Sequence, residues 1–214
     1  MRNIPKLTLI LLFAVFGKAL ADHSELSVKL DTEEVPHLTN WGEEAKRVAK
    51  RWYPRIHNLL LTKEYQPQRE IFLKIKKSEK GVGGTSGTKI TLSSHWVEKH
   101  PEDLGLVVHE LTHVIQGYPS GKPWWITEGI ADYIRWAIYE GKGQHWFPKP
   151  RDPEGYKQGY RVTAGFLLWL EAERAPGIVK KLNSAMRDAS YSAKLFEQES
   201  GRSLDELWSE YVEL

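Results

Sequence analysis

Two histidines four residues apart, in the run His109-Glu110-Leu111-Thr112-His113, fall inside a stretch whose apolar residues already prescribe a helix. Leu104, Val107, Val108, Leu111, Val114 and Ile115 recur at helical spacing, Glu102 and Asp103 suit the first turn, and Gly117 suits the stop. One turn apart on that helix, the two imidazoles lie one above the other and can converge on one ion. The helix can pack through Val108, Leu111 and Ile115 while His109, His113 and Gln116 face a cleft. Glu110 neighbours the first histidine, where it can contact a water on the ion without itself ligating, and this is the arrangement that metal-assisted hydrolysis requires.

A catalytic zinc site takes three protein ligands and leaves the fourth position to water. The chain has no cysteine, so histidine and carboxylate must hold any metal. After a turn over 117–123, the segment Trp124-Trp125-Ile126-Thr127-Glu128-Gly129-Ile130-Ala131-Asp132-Tyr133 begins a second helix that reaches about Glu140 and stops at Gly141 and Gly143. A hairpin of this kind returns an early residue of the second helix to the middle of the first. Glu128 is therefore the candidate third ligand, and Gly129 offers room for the close helix approach. Asp132, one turn later, is the candidate hydrogen-bond partner of a ligand histidine. The reverse assignment, Asp132 as ligand and Glu128 as supporter, stays open. Flanking Trp125, Ile126, Ile130 and Tyr133 argue against two solvated charges.

Hydrolysis through a tetrahedral species also needs a donor for the developing oxyanion, and Tyr156 and Tyr160 are the two candidates. His95, His100 and His145 flank Trp or Lys and read as surface or capping residues, with His145 a candidate for the cleft mouth.

The rest of the chain fits an α+β organisation. Residues 1–21 read as a secretory signal: Arg2 and Lys6, an apolar stretch from Leu7 to Phe16, then Ala19-Leu20-Ala21 for cleavage. That stretch is much shorter than the roughly 20 residues a membrane helix takes. The mature chain then begins near Asp22, forms one domain over 22–214, and is secreted or periplasmic. The formal charge of +2 includes Arg2, Lys6 and Lys18; without these three the 30 basic residues become 27 against 28 acidic, a net of −1. Neither nucleic acid nor an anionic membrane is a natural partner for that balance. The expected state is a monomer acting on a peptide or protein.

Leu26 to Leu30 alternates as a strand ended by Pro36, and Trp41 to Leu61 reads as a helix with a kink or break at Pro54. Glu70 to Lys77 and Lys89 to Ser93 alternate again, the second offering an edge for an extended peptide. The glycines 81, 83, 84 and 87 between them lack the following Lys-Ser/Thr of a phosphate loop and read as a flexible connection. Beyond Pro101 the signal is almost wholly helical, with stretches at Tyr156 to Glu173, Ile178 to Asp188 and Ser203 to Val212, the last opened by a Ser203-x-x-Glu206 capping box.

The histidine run followed by a Trp-x-x-Glu-Gly-x-Ala-Asp-Tyr block resembles the gluzincin metallopeptidases, in which the glutamate of the second block is the third zinc ligand. More closely, His109 to Gln116, Glu128 to Arg135, Gln158 to Leu167 and the tail Leu207 to Tyr211 are similar to the basic secretory protein family, in the same order and over most of the mature chain. The resemblance implies a zincin-like fold, secretion and peptidase activity. Tyr156 fits the Tyr-x-x-Gly pattern of aminopeptidase-type gluzincins, whereas Tyr160 fits the Gly-Tyr-x-Val-Thr-Ala block of the closer family. The chain departs from the family in that its mature part is not basic. A different class stays open: a secreted module with structural zinc, whose tryptophans stack on cell-wall sugars. Structural zinc sites normally close the fourth position with a further protein ligand.

Overall fold

The described residues form four strands, β1 (Ser27–Asp31), β2 (Glu70–Lys76), β3 (Gly83–Ser86) and β4 (Lys89–Ser93), and apolar and polar residues alternate in β1, β2 and β4. They form one sheet in the order β1-β2-β4-β3, with β1/β2 and β2/β4 parallel and β3/β4 antiparallel. Val28, Ile71, Leu73, Ile75, Ile90 and Leu92 are buried on one face. The other face carries Lys29 and Phe72, which are exposed, and Lys74, which is partly buried between Asp31 and Glu34, so the sheet is covered on one side only. The computed structural model describes residues 26–62, 65, 66 and 68–214, and the expected signal at 1–21 lies outside them.

The segment over 81–87 is where structure and sequence differ most. It is not a loose connection: Gly83–Ser86 pairs with β4 through a two-residue turn in which Gly87 takes φ +56°, as hairpin turns of this size require. In consequence β4 is an interior strand, and the edge open to a peptide is β3. The strand has no hydrophobic alternation because its inward residues are Gly83, which lies against Leu92 and Glu110, and Thr85, which bonds the Glu110 carboxylate.

Among the described residues eight α-helices follow the strands or join them: α1 (Thr39–Leu59), α2 (Ser94–Lys99), α3 (Gly105–Gln116), α4 (Trp124–Asp132), α5 (Tyr160–Trp169), α6 (Ile178–Arg187), α7 (Lys194–Ser200) and α8 (Leu204–Glu213). Helix α1 makes the crossover between parallel β1 and β2 and buries Ala45, Val48, Ala49, Trp52, Tyr53 and Ile56. It runs through Pro54 unbroken; the proline lies on the exposed face, where water can satisfy the carbonyl it deprives. Six- and seven-residue α2 and α7 are too short for periodicity to reveal.

Helix α4 does extend to the predicted length, but from Tyr133 to Tyr139 it widens into π-helical turns. The predicted helix from Tyr156 to Glu173 is divided. A 3₁₀ turn at Gly155–Gln158 ends at Gly159 (φ +67°), α5 restarts at Tyr160, and Leu170–Arg174 is again π-helical. Gly159 lies under Trp124, whose ring would be 2.4 Å from any Cβ there, so the chain must turn at this point.

Packing in the C-terminal half replaces the absent disulfides. The rings of Tyr156, Trp169, Phe196, Trp208 and Tyr211 all lie within 6.4 Å of Phe166. Each such buried ring stabilises by roughly 1.5–3 kcal/mol. The predicted capping box opens α8: Ser203 Oγ accepts from the Glu206 amide, and the Glu206 carboxylate accepts from the Ser203 amide. No helix among the described residues is long and apolar enough to cross a membrane.

Candidate metal centre

Helix α3 is held at both ends by arginines distant in sequence. At its start Asp103 accepts from the Leu106 amide at 3.1 Å, from Arg135 at 2.7 Å and from the Trp96 indole at 2.9 Å. At its end Gly117 takes φ +52°, and Arg187 donates to the carbonyls of Ile115 (2.8 Å) and Gln116 (3.0 Å), which the helix leaves unpaired. Every residue of α3 except His113 is buried, His109 and Glu110 included. The polar side is thus covered as fully as the apolar one, by α4 and β3.

Helix α4 returns antiparallel along it. Gln116 donates to the Thr127 carbonyl at 2.9 Å, His113 Nε2 lies 3.4 Å from Glu128 Oε2, and His109 Nδ1 donates to Asp132 Oδ1 at 2.7 Å. The close approach at Gly129 is to α5 instead of α3. A Cβ on Gly129 would stand 2.3 Å from Thr163 Cγ2, so the glycine lets α5 press α4 towards the site.

Both imidazoles spend Nδ1 on a neighbour, His109 on Asp132 and His113 on Gln116 Oε1 (2.8 Å). The two Nε2 atoms therefore face each other at 3.1 Å, with Glu128 Oε2 at 3.2 Å from His109 Nε2 and 3.4 Å from that of His113. A tetrahedral ion about 2.0–2.1 Å from each donor sets its ligands roughly 3.3 Å apart, so this triangle has the dimensions of a zinc face. Three lone-pair donors so close repel unless a cation or a proton lies among them. Without metal, burial disfavours the His109 imidazolium, but the hydrogen bonds to Asp132 and then to Glu128 outweigh it and raise its pKa to about 9. Burial likewise acts against the Glu128 carboxylate, yet its contacts with His109 and His113 lower its pKa to about 2.

A cavity of about 1360 Å³ opens over this triangle and is lined by Glu110, Asp132, Tyr160, Thr85 and Gly83 among others. Its size suits an extended chain more than a small ligand. Glu110 is 5% exposed, and Thr85 Oγ1 lies 2.7 Å from its Oε2 and 3.0 Å from its backbone oxygen.

The two tyrosines part company. Tyr160 is half exposed, lines the cavity and stacks on His109 at 6.4 Å with 18° between the planes. Its φ of +44° is left-handed, a conformation that costs an aromatic residue on the order of 1–2 kcal/mol and that aims the ring at the site. Burial first, then the Glu128, Asp132 and Glu110 charges, raise its pKa and keep the hydroxyl a proton donor. Tyr156 is 4% exposed, packs on Trp125 and Trp208, and donates to Asp205 at 3.0 Å. It does not line the cavity. Nor does His145, which is exposed elsewhere; the histidine at the cavity rim is His100, whose ring lies 4.1 Å from that of Trp96 and tilted by 35° to it.

Thr85, Gly83 and the Gln116 contact to His113 carry no role in the sequence reading. Gln116 was within reach of it, three residues after His113 on one helix. Thr85 was not, because its strand was not recognised.

A family described as BSP, peptidase of plants and bacteria, matches residues 37–211. No curated protein and no solved structure matches the chain.

Proposed function

The chain belongs to the BSP family of plant and bacterial peptidases, and from that premise we propose that it is a zinc-dependent peptidase with His109, His113 and Glu128 as metal ligands. The observation that carries the reading is the triangle of donor atoms with 3.1–3.4 Å edges, in which, among the described residues, three ligands are supplied and none closes the fourth position. Asp132 supports His109 in this reading, since its carboxylate is spent on Nδ1. An open fourth position also favours catalysis over a structural zinc in a sugar-binding module.

Zinc bound there supplies Lewis acidity, which acidifies water and polarises the scissile carbonyl. Glu110 takes the proton from the attacking water and returns it to the leaving amine. Tyr160 donates a hydrogen bond to the oxyanion and keeps its proton, and the strained backbone that sets its ring beside His109 supports that role. Tyr156 keeps a packing role with Asp205. An extended substrate pairs with the free edge of β3, where Gly83 and Gly84 bring backbone to the cavity wall.

The small mixed sheet, with α3 behind an edge strand and α4 carrying the third ligand, is read as a zincin-like fold of gluzincin type, one domain over 22–214. Residues 1–21 are read as its export signal, cleaved before Asp22; N-terminal sequencing of exported chain checks this. The function test is digestion of a peptide library, with and without chelator, by wild type and by Glu110→Gln. Expected is chelator-sensitive cleavage, and a variant that binds zinc and cuts nothing. Stoichiometric zinc without cleavage in the wild type would favour the binding module, and full activity in the variant would remove Glu110 from the mechanism.

A further inference from the structure

Strand β3 does more than close the sheet. Its register places Gly83 opposite Leu92 and Thr85 opposite Ile90, so both project to the face that packs on α3. There Thr85 meets one oxygen of the Glu110 carboxylate, and Gly83 lies against the other oxygen and against Leu92. Thr85 Oγ1 lies 2.7 Å from Glu110 Oε2, a length typical of a hydroxyl donating to a carboxylate. On the Oε1 side stands the bare Cα of Gly83, where a Cβ would come 3.1 Å from the oxygen and 3.0 Å from Leu92 Cδ2. Among the described residues no other side chain donates to Glu110.

We propose that Thr85 is a positioning residue for Glu110. Its hydroxyl proton pins Oε2, while Gly83 leaves Oε1 clear to exchange a proton in the cavity. This rests on the reading of Glu110 as the proton carrier. The hydroxyl has one proton and can reach either Oε2 or the Glu110 backbone oxygen at 3.0 Å. Donation to the carboxylate is the charge-assisted choice and the stronger bond. A glutamate has three side-chain torsions, and without the tie the carboxylate can rotate away from the water or towards the metal. Proton transfer then starts from the wrong geometry, although the substrate still binds. Because β3 is also the open edge of the sheet, the strand that meets an extended peptide is the strand that aims the base. Pairing and proton transfer are thereby held in one register.

The test is steady-state cleavage of a fluorogenic peptide by zinc-loaded Thr85→Val, Thr85→Ser and Gly83→Ala, with zinc stoichiometry and thermal midpoint measured on each. A displaced catalytic group costs on the order of 10²-fold. Thr85→Val should therefore lower kcat by roughly 10- to 100-fold with KM, zinc content and midpoint near wild type. Thr85→Ser, which restores the hydroxyl, should return most of kcat. Gly83→Ala keeps Thr85 and sets a methyl against Leu92 Cδ2 as well as Oε1, and should lower kcat beyond any loss its thermal midpoint accounts for. In the Glu110→Gln background Thr85→Val should have no further effect on residual turnover. Wild-type kcat in Thr85→Val beside an inactive Glu110→Gln overturns the positioning role and leaves Glu110 in place. Equal losses in Val and Ser variants, or losses that follow the thermal midpoint, overturn it as well. An active Glu110→Gln overturns both readings.

Discussion

Asp132 and Glu128 stand one turn apart on α4, and replacing each by its amide separates the two roles they are given. In Asp132→Asn the side chain keeps its volume in a 4% exposed position and can still accept from His109 Nδ1, but without charge. A hydrogen bond to a charged group contributes about 1.5–3 kcal/mol, and a neutral one about 0.5–1.5. The difference of roughly 1–2 kcal/mol corresponds to a zinc affinity lower by about 5- to 30-fold, at the lower part of the range for residues that orient a ligand histidine. Stoichiometry should remain one ion per chain once zinc is in excess. Glu128→Gln instead replaces a carboxylate whose Oε2 forms two edges of the donor triangle, and leaves two imidazoles to hold the ion. Its zinc should be lost on gel filtration. The assay is competition with a chromogenic chelator, together with metal analysis of the filtered protein. Retention of zinc by Glu128→Gln, with loss from Asp132→Asn, would exchange the two roles and refute the argument from the triangle.

Zinc uptake should depend on pH in a defined direction. In the metal-free chain His109 keeps its proton below a pKa of about 9, so zinc must displace that proton at neutral pH. Apparent affinity should rise by roughly tenfold per pH unit from neutrality and level off above about 9, in the same chelator assay. Tyr160→Phe should lower kcat/KM by about 10²- to 10³-fold, the usual effect of losing one oxyanion donor, with zinc retained. Tyr156→Phe, assayed alongside, should leave kcat/KM near wild type, because its hydroxyl is engaged with Asp205. Gly129→Ala sets a methyl 2.3 Å from Thr163 Cγ2 in a region with no exposure, and such overpacking costs about 1–3 kcal/mol. Its thermal midpoint should fall by roughly 2–12 °C in calorimetry.

What the sequence revealed of the fold follows from what periodicity records. The stripe from Leu104 to Ile115 and the stop at Gly117 delimit α3, because burial and a positive φ each leave a local mark. The strands β1, β2 and β4 were legible for the same reason: their inward residues are aliphatic and meet one core. Strand β3 left no such mark. Its inward side holds a glycine and a threonine beside a carboxylate at the cavity wall, and its other side holds a glycine and a serine, so nothing alternates. The helix from Tyr156 to Glu173 was misread because apolar spacing continues through Gly159. What interrupts it is a ring from α4, thirty-five residues earlier in the chain.

The candidate site divides along the same line. Grouping of His109, His113, Glu128 and Asp132 could be reasoned from helix spacing and one hairpin, since each partner lies on the same helix or the next. The groups that hold this constellation still could not. Arg187 reaches the end of α3 from 71 positions away, Arg135 reaches Asp103 from 32, and Thr85 reaches Glu110 from 25. A single arginine or threonine in a sequence carries no sign of which distant carbonyl or carboxylate it will meet, because such contacts depend on the assembled fold and repeat with no period. Yet they have a common consequence. Arg135 acts through Asp103 at one end of α3, Arg187 acts at the other, and β3 braces its middle, so the helix is restrained along its axis and about it. Two imidazole nitrogens held 3.1 Å apart require that restraint. A proton on His109 eases the repulsion among these atoms, and the restraint on the helix keeps the triangle in place when that proton leaves for a metal. A chain that fixes the triangle in advance spends less of its metal affinity on ordering, and the residues responsible are the ones that sequence alone conceals.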